Sequence, residues 1–220
     1  MTIAPFLGID VSYAQPGINW QQVAADPQNI RFAYLKATQG TTIQDNTFAK
    51  NREGATAAGI PNGAYHFFSI QTPAINQAFN FINVVHELKP GDLPPMLDFE
   101  QNVTPDKINH TLDEIGVWLK QIEKSLGVKP IIYTANNYWK YILGNPQAYK
   151  DYKLWVAAYG ADNPAQPNNT PPNLFGGWQE WALWQYSSKG TVQGINDFRG
   201  RPLAVDMDRY NVDSGILPLV

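Results

Sequence analysis

Pro94-Pro95-Met96-Leu97-Asp98-Phe99-Glu100 ends an apolar run with two carboxylates. Side chains alternate across a strand, so Asp98 and Glu100 point the same way, with Cα atoms roughly 6.5–7 Å apart. Like charges at that separation raise at least one carboxyl pKa, and partial burial acts in the same direction. One of the two can then keep its proton near neutral pH, as a general acid requires. The competing reading of so short a motif is structural: a strand end whose Asp and Glu sit in solvent or accept nearby backbone amides.

Outward from this run, short β-rich segments alternate with helical patterns through the first two thirds of the sequence, which predicts βαβ units around a parallel sheet. The candidate strands are Phe6 to Asp10, Arg31 to Lys36, Gly63 to Phe68, Pro95 to Glu100, Pro130 to Thr134, Leu154 to Ala158, Trp181 to Tyr186 and Leu203 to Asp208. Helical patterns cover Asn46 to Ala58, Pro73 to Leu88 and Pro105 to Leu126. The last carries Ile108, Leu112, Ile115, Leu119, Ile122 and Leu126 as one apolar stripe. Thr104 and Pro105 suit its start, and Gly127 its C-cap. Asp162 to Gly177 is rich in Pro, Asn and Gly, and no helix-length pattern follows it. The expectation is an α/β fold: an irregular TIM-like barrel of eight strands with about five helices and a helix-poor C-terminal third.

The 220 residues suit one barrel domain, 1–220, and no repeat, linker or separate wall-binding module is visible. A 44% hydrophobic and 13% aromatic composition supports a large core. A chain of this length buries roughly 70% of its accessible surface on folding. The formal net charge of -3 and the absence of any Lys/Arg cluster argue against a nucleic-acid partner. There is no cysteine, so neither disulfides nor thiolate metal sites are available. Met1 to Leu7 lacks a secretory signal pattern and no 18-residue apolar run occurs. A soluble monomer without membrane insertion is expected. If its target lies outside the cytoplasm, it would be released by lysis, by a signal-less route or after loss of a leader.

In parallel barrels the working residues come from the C-terminal strand ends. Asp10 closes Phe6-Leu7-Gly8-Ile9, Asp98 and Glu100 close the fourth strand, and Asp206 follows Leu203-Ala204-Val205. Four carboxylates around one rim cost stability and suit proton chemistry. Residue by residue, structural alternatives stand: Asp10 can cap the turn at Val11 and Ser12, and Asp206 or Asp208 can pair with Arg199, Arg201 or Arg209. Asp206 is preferred over Asp208 for its place straight after Leu-Ala-Val.

Carboxylates alone can hold magnesium or calcium. However, no phosphate-cradling glycine loop is present, and His66, His86 and His110 lack paired ligand spacing. No metal is expected. His66, in Tyr65-His66-Phe67-Phe68, fits either the site or a structural role. Tyr65, Phe67, Tyr133, Trp155, Tyr159, Trp181, Trp184 and Tyr186 gather at strand ends, and such amphipathic rings suit sugar faces. Tyr65, Tyr133 and Trp184 are the preferred cleft residues.

These segments together resemble the lysozymes of glycoside hydrolase family 25, the Chalaropsis type. The resemblance rests on Gly8-Ile9-Asp10-Val11-Ser12 with Gln15, on Lys36-Ala37-Thr38 with Gly40, and on Gly63-Ala64-Tyr65-His66-Phe67. It continues through Leu97-Asp98-Phe99-Glu100, Ile131-Ile132-Tyr133-Thr134, Leu154-Trp155-Val156-Ala157, Leu183-Trp184-Gln185-Tyr186-Ser187 and Val205-Asp206. It implies a β/α barrel without cofactor that cleaves the β-1,4 bond between N-acetylmuramic acid and N-acetylglucosamine in peptidoglycan strands of the cell wall. On the resemblance, Glu100 is the proton donor, and Asp98 orients the acetamido group or stabilises positive charge. Asp10 and Asp206 tune the pair, while Tyr65, His66, Phe67, Tyr133, Trp155, Tyr159, Trp184 and Gln185 are candidate substrate contacts. The chain departs from the family pattern at Gln39, often Glu, and at Asp208, often Asn. A non-catalytic glycan-binding module and a barrel hydrolase acting on chitin-like polymers are the competing functions.

Overall fold

The structure, a computed structural model, describes residues 6–159 and 172–216. Nine strands occur there: β1 (Phe6–Val11), β2 (Ile30–Gln39), β3 (Ile43–Gln44), β4 (Asn62–Phe67), β5 (Met96–Asp98), β6 (Ile131–Ala135), β7 (Lys153–Ala157), β8 (Leu183–Gly190) and β9 (Val205–Tyr210). The helices are α1 (Trp20–Ala24), α2 (Phe48–Ala57), α3 (Ala74–Val85) and α4 (Ile108–Leu126), joined by a π-helical segment, Asn137–Ile142. Among the described residues after Tyr159 the only helical turn is the 3-10 turn Val212–Ser214. Residues 162–171 of the Pro- and Asn-rich stretch lie outside the described residues.

Eight strands close on themselves in the order β1-β9-β8-β7-β6-β5-β4-β2, with β1 also paired to β2. The two-residue β3 is only a hairpin partner of β2. Neighbouring staves run parallel except at β9, which is antiparallel to both β8 and β1. This corrects the parallel Leu203–Asp208 strand. A parallel return needs a crossover, usually helical, of a dozen or more residues. Residues 191–204 contain no helix, and the chain turns back beside β8 instead.

Apolar residues on both strand faces build two layers, as expected where helices cover a sheet. Outside, Ile9, Leu35, Leu97, Phe99, Ile132, Leu154 and Val156 pack under Phe81 of α3 and Ile115, Trp118, Leu119 and Ile122 of α4. Inside, Phe32, Tyr34, Met96, Ile131, Trp155, Leu183 and Tyr210 plug the barrel below its upper rim. The stripe of α4 divides as its period demands: Ile115, Leu119 and Ile122 are buried, while Ile108, Leu112 and Leu126 flank them. Gly127 caps the helix at φ 71°, its N–H bonded to the Glu123 carbonyl at 2.9 Å. The start differs from expectation. Pro105–Lys107 form a tight 3-10 turn, so the α-helix begins after Lys107, and Thr104 makes no side-chain cap bond.

Large interior rings need small neighbours on the adjoining strand, as Gly63 of β4 is to Tyr34 of β2. A Cβ on Gly63 would lie 2.6 Å from the Tyr34 ring and 2.9 Å from Leu93 Cβ, both buried and hemmed in. Gly63→Ala is therefore expected to destabilise the fold by roughly 1–3 kcal/mol through overpacking. The measurement is a lower urea midpoint at unchanged m; an unaltered midpoint refutes it.

Candidate active site

Strand alternation decides what reaches the mouth of the barrel. Because Ile9, Val11, Leu97, Phe99, Val205 and Met207 face the helices, Asp10, Asp98, Glu100 and Asp206 face inward. Asp10 and Asp206 stand opposite one another in the β1/β9 register, about 4.5–5.5 Å apart at Cα. Asp98 closes β5 and Glu100 follows two residues on, half-buried at the rim. The four carboxyls from three remote segments share one electrostatic neighbourhood.

A hydrogen-bond network holds the wall of this mouth. Gln185 of β8 donates Nε2–H to Asp10 Oδ2 at 2.6 Å. Its Oε1 accepts the hydroxyls of Tyr133 (2.7 Å) and Tyr159 (2.5 Å). Since the amide oxygen is committed to two tyrosines, its nitrogen must point at Asp10. Asp98 lies deeper, with Oδ1 buried and without a hydrogen-bond partner.

Burial pushes the carboxyls of Asp10 and Asp98 well above the usual carboxylate range. Negative neighbours add to this, Asp206 for Asp10 and Glu100 for Asp98. Glu100 is raised by burial and then by Asp206, while Lys36 acts in the opposite direction. Burial lifts Asp206 to about 6. Glu100 thus combines partial exposure with a carboxyl pKa raised above its ordinary value, which favours the protonated form.

The profile of Glycosyl hydrolases family 25 matches residues 9–195. This chain belongs to that family. It is 31% identical to Lysozyme M1 of Streptomyces globisporus over 93% of the chain and 67% of that protein. It is 35% identical to the uncharacterized protein YegX of Escherichia coli K12 over 86% of the chain, spanning 65% of YegX. The fold is similar to the crystal structure of a bacterial lysozyme from Streptomyces coelicolor. That similarity has a TM-score of 0.82 at 29% identity and covers 96% of this chain and 94% of that one. A family 25 glycosyl hydrolase structure from Bacillus anthracis gives 0.79 at 28% identity, covering 97% and 93%.

Within this family 25 chain, Tyr65, Phe67, Tyr133, Tyr159 and Gln185 stand with the acids. Three other candidates do not. His66 is the outward neighbour of Tyr65 and Phe67. It is fully buried, bonded to Thr38 Oγ1 (2.7 Å) and Gln77 Oε1 (3.0 Å), and stacked on Trp118. Burial lowers its pKa to about 4, so it is a neutral structural group. Trp184 alternates with Gln185 and so turns outward, donating Nε1–H to the Ala158 carbonyl at 2.8 Å beneath the Arg209 guanidinium. Trp155 points inward but is fully buried, and supports the mouth from below. Among the described residues no three His, Asp or Glu side chains converge as a metal site.

Sequence reasoning missed one inward group and passed over another. Lys36 of β2 donates to Gln39 Oε1 at 2.9 Å and lies 4.9 Å from the Phe67 ring centroid. Burial lowers its pKa, while Asp98, Asp45 and Glu100 favour its charge. A lone lysine between Leu35 and Ala37 in an apolar strand was the available signal. Asp208, weighed against Asp206 and set aside, faces inward on the same side of β9.

Removing the Asp206 charge should lower the Glu100 pKa, so Asp206→Asn is expected to shift the alkaline limb of the pH–rate profile to lower pH. Folded-state values raised above the unfolded ones contribute stability that is lost as pH rises, here from about 4 through about 6 for Asp206. The same variant should therefore gain about 1–2 kcal/mol at pH 7, roughly 2–8 °C in Tm for a chain of this size. Lys36→Met should move the alkaline limb the opposite way. Profiles unmoved by either substitution would contradict this electrostatic account.

Proposed function

We propose that this protein is a muramidase: it hydrolyses the β-1,4 bond between N-acetylmuramic acid and N-acetylglucosamine in peptidoglycan. The observation that carries the reading is the convergence of Asp98 and Glu100 with Asp10 and Asp206 at one barrel mouth, with Glu100 the least enclosed of the buried acids. Family membership and the similarity to Lysozyme M1 support the substrate class.

Glycoside cleavage passes through an oxocarbenium-like state and needs acid assistance to the leaving oxygen. Glu100 gives its proton to that oxygen as the bond to the anomeric carbon breaks. Asp98 offers its unpartnered Oδ1 to the acetamido N–H of the sugar. The acetamido carbonyl oxygen, so oriented, bonds to the anomeric carbon as the leaving group departs. Water then opens that ring, returning its proton to Glu100. Gln185, Tyr133 and Tyr159 hold Asp10 in place, while Tyr65 and Phe67 present ring surface to the sugars. The site lies on one protomer, and cell-wall glycan strands are the partner. No helix among the described residues is long and apolar enough to cross a membrane.

Glu100→Gln is expected to lower turbidity clearance of purified cell walls by about 10²–10⁴, the usual contribution of general acid catalysis. Near-UV circular dichroism should be unchanged. Mass analysis of digests should give muramic acid at the new reducing ends. Glucosamine reducing ends, or chitin oligomers cleaved in preference, would favour the chitin-like reading; a covalent glycosyl-aspartate would remove the acetamido route.

A further inference from the structure

Asp208 is the most enclosed acid in the barrel, with no exposed surface, one layer below Asp206 on β9. Its Oδ1 accepts the Trp155 indole N–H at 3.0 Å. Its Oδ2 is buried and has no donor. The β1/β9 register sets Gly8 opposite Asp208 and Asp10 opposite Asp206, so Asp10 and Asp208 are diagonal neighbours on the inward face, close enough for their carboxyls to meet. Two carboxylates are both acceptors and cannot bond one another. A contact between them requires a hydrogen on one.

The surrounding bonds decide which. Asp10 Oδ2 already accepts the Gln185 amide, whose direction is fixed by Tyr133 and Tyr159. Hydrogen bonds donated to a carboxylate favour its ionised form. Asp208 has a single indole donor and faces Asp10 on β1, Tyr34 on β2, Trp155 on β7, Gln185 on β8 and Asp206 on its own strand. None of these carries positive charge.

We infer that Asp208 is a neutral acid at neutral pH that donates its Oδ2 hydrogen to Asp10, and that it serves as a positioning residue for the site. Through Asp10 it fixes Gln185 and the two tyrosines at the mouth, and it keeps the interior to one negative charge where two carboxyls meet. Burial, Asp10 and Asp206 all hold the Asp208 carboxyl well above the ordinary range. Above neutral pH the loss of this hydrogen would set two anions face to face and open the network. The inference deepens the muramidase reading, since it rests on Asp10 belonging to that site.

Asn at this position can donate to Asp10 and accept from Trp155 but cannot ionise, whereas Leu can do neither. The infrared difference spectrum of the intact protein minus Asp208→Asn at pH 7 should show the C=O stretch of a protonated carboxyl. On cell walls, Asp208→Leu should lose about 10²-fold, as expected for a misplaced site. Asp208→Asn should recover most of that loss and stay active further into the alkaline range than the parent. Absence of the infrared band, or an Asn variant as impaired as the Leu variant, overturns the inference. The spectrum needs no substrate, so a band present in a protein that clears no walls would refute the muramidase reading and leave the Asp10–Asp208 hydrogen bond standing.

Discussion

Everything at the mouth of this barrel follows from one constraint: carboxyl groups brought together where water cannot fully solvate them. Five acids project inward from β1, β9 and the end of β5, and Lys36 is the cation set against them. Desolvation and mutual repulsion act in the same direction on each acid. The arrangement is tolerated because the remainder of the molecule is heavily apolar on both sides of its strands, with the aromatic plug below and the helices outside. Stability generated there offsets strain held at the rim, the usual relation between a functional site and its scaffold.

The polar network divides into two tiers. Near the surface, Gln185 ties Asp10 to Tyr133 and Tyr159; beneath, the Trp155 indole N–H donates to the Asp208 carboxyl. Asp98 and Glu100 lie across from this scaffolded side, one with an unused acceptor and the other within reach of solvent. Rigid support on one wall and open hydrogen-bonding capacity on the other is what a site needs if substrate, rather than protein, is to complete it.

Much of this was legible in residue spacing. The period of two set Asp98 with Glu100, and the strand-end rule added Asp10 from a distant segment. The period of 3.6 found α4 and its buried stripe. Periodicity has no direction, however, so it could not reveal that β9 runs backwards. Asp206 reaches the rim because it lies near the start of a reversed strand, not at the end of a parallel one. The same alternation, applied more strictly, would have turned His66 and Trp184 outward, since Tyr65 and Gln185 cannot face inward unless their neighbours do not. Chemical suitability for sugar binding outweighed geometry at Trp184, while for His66 the structural role was one of the two readings the sequence left open. Thr104 shows a different limit: whether a first turn tightens to 3-10 depends on local packing that composition does not report. Deep placement of Asp208 was hidden because a buried, unpaired acid is what composition rules teach one not to expect.

The seam between β1 and β9 joins segments almost a whole chain length apart. Closing so long a loop is entropically slow compared with forming neighbouring βα units. During synthesis Asp98 and Glu100 leave the ribosome well before Asp206 and Asp208 exist to confront Asp10. Until that final stave zips in, Glu100 lacks the neighbouring Asp206 charge that raises its carboxyl pKa. The electrostatics of the mouth are thus a property of the finished barrel, absent from a nascent polypeptide that has yet to pair β9 with β1.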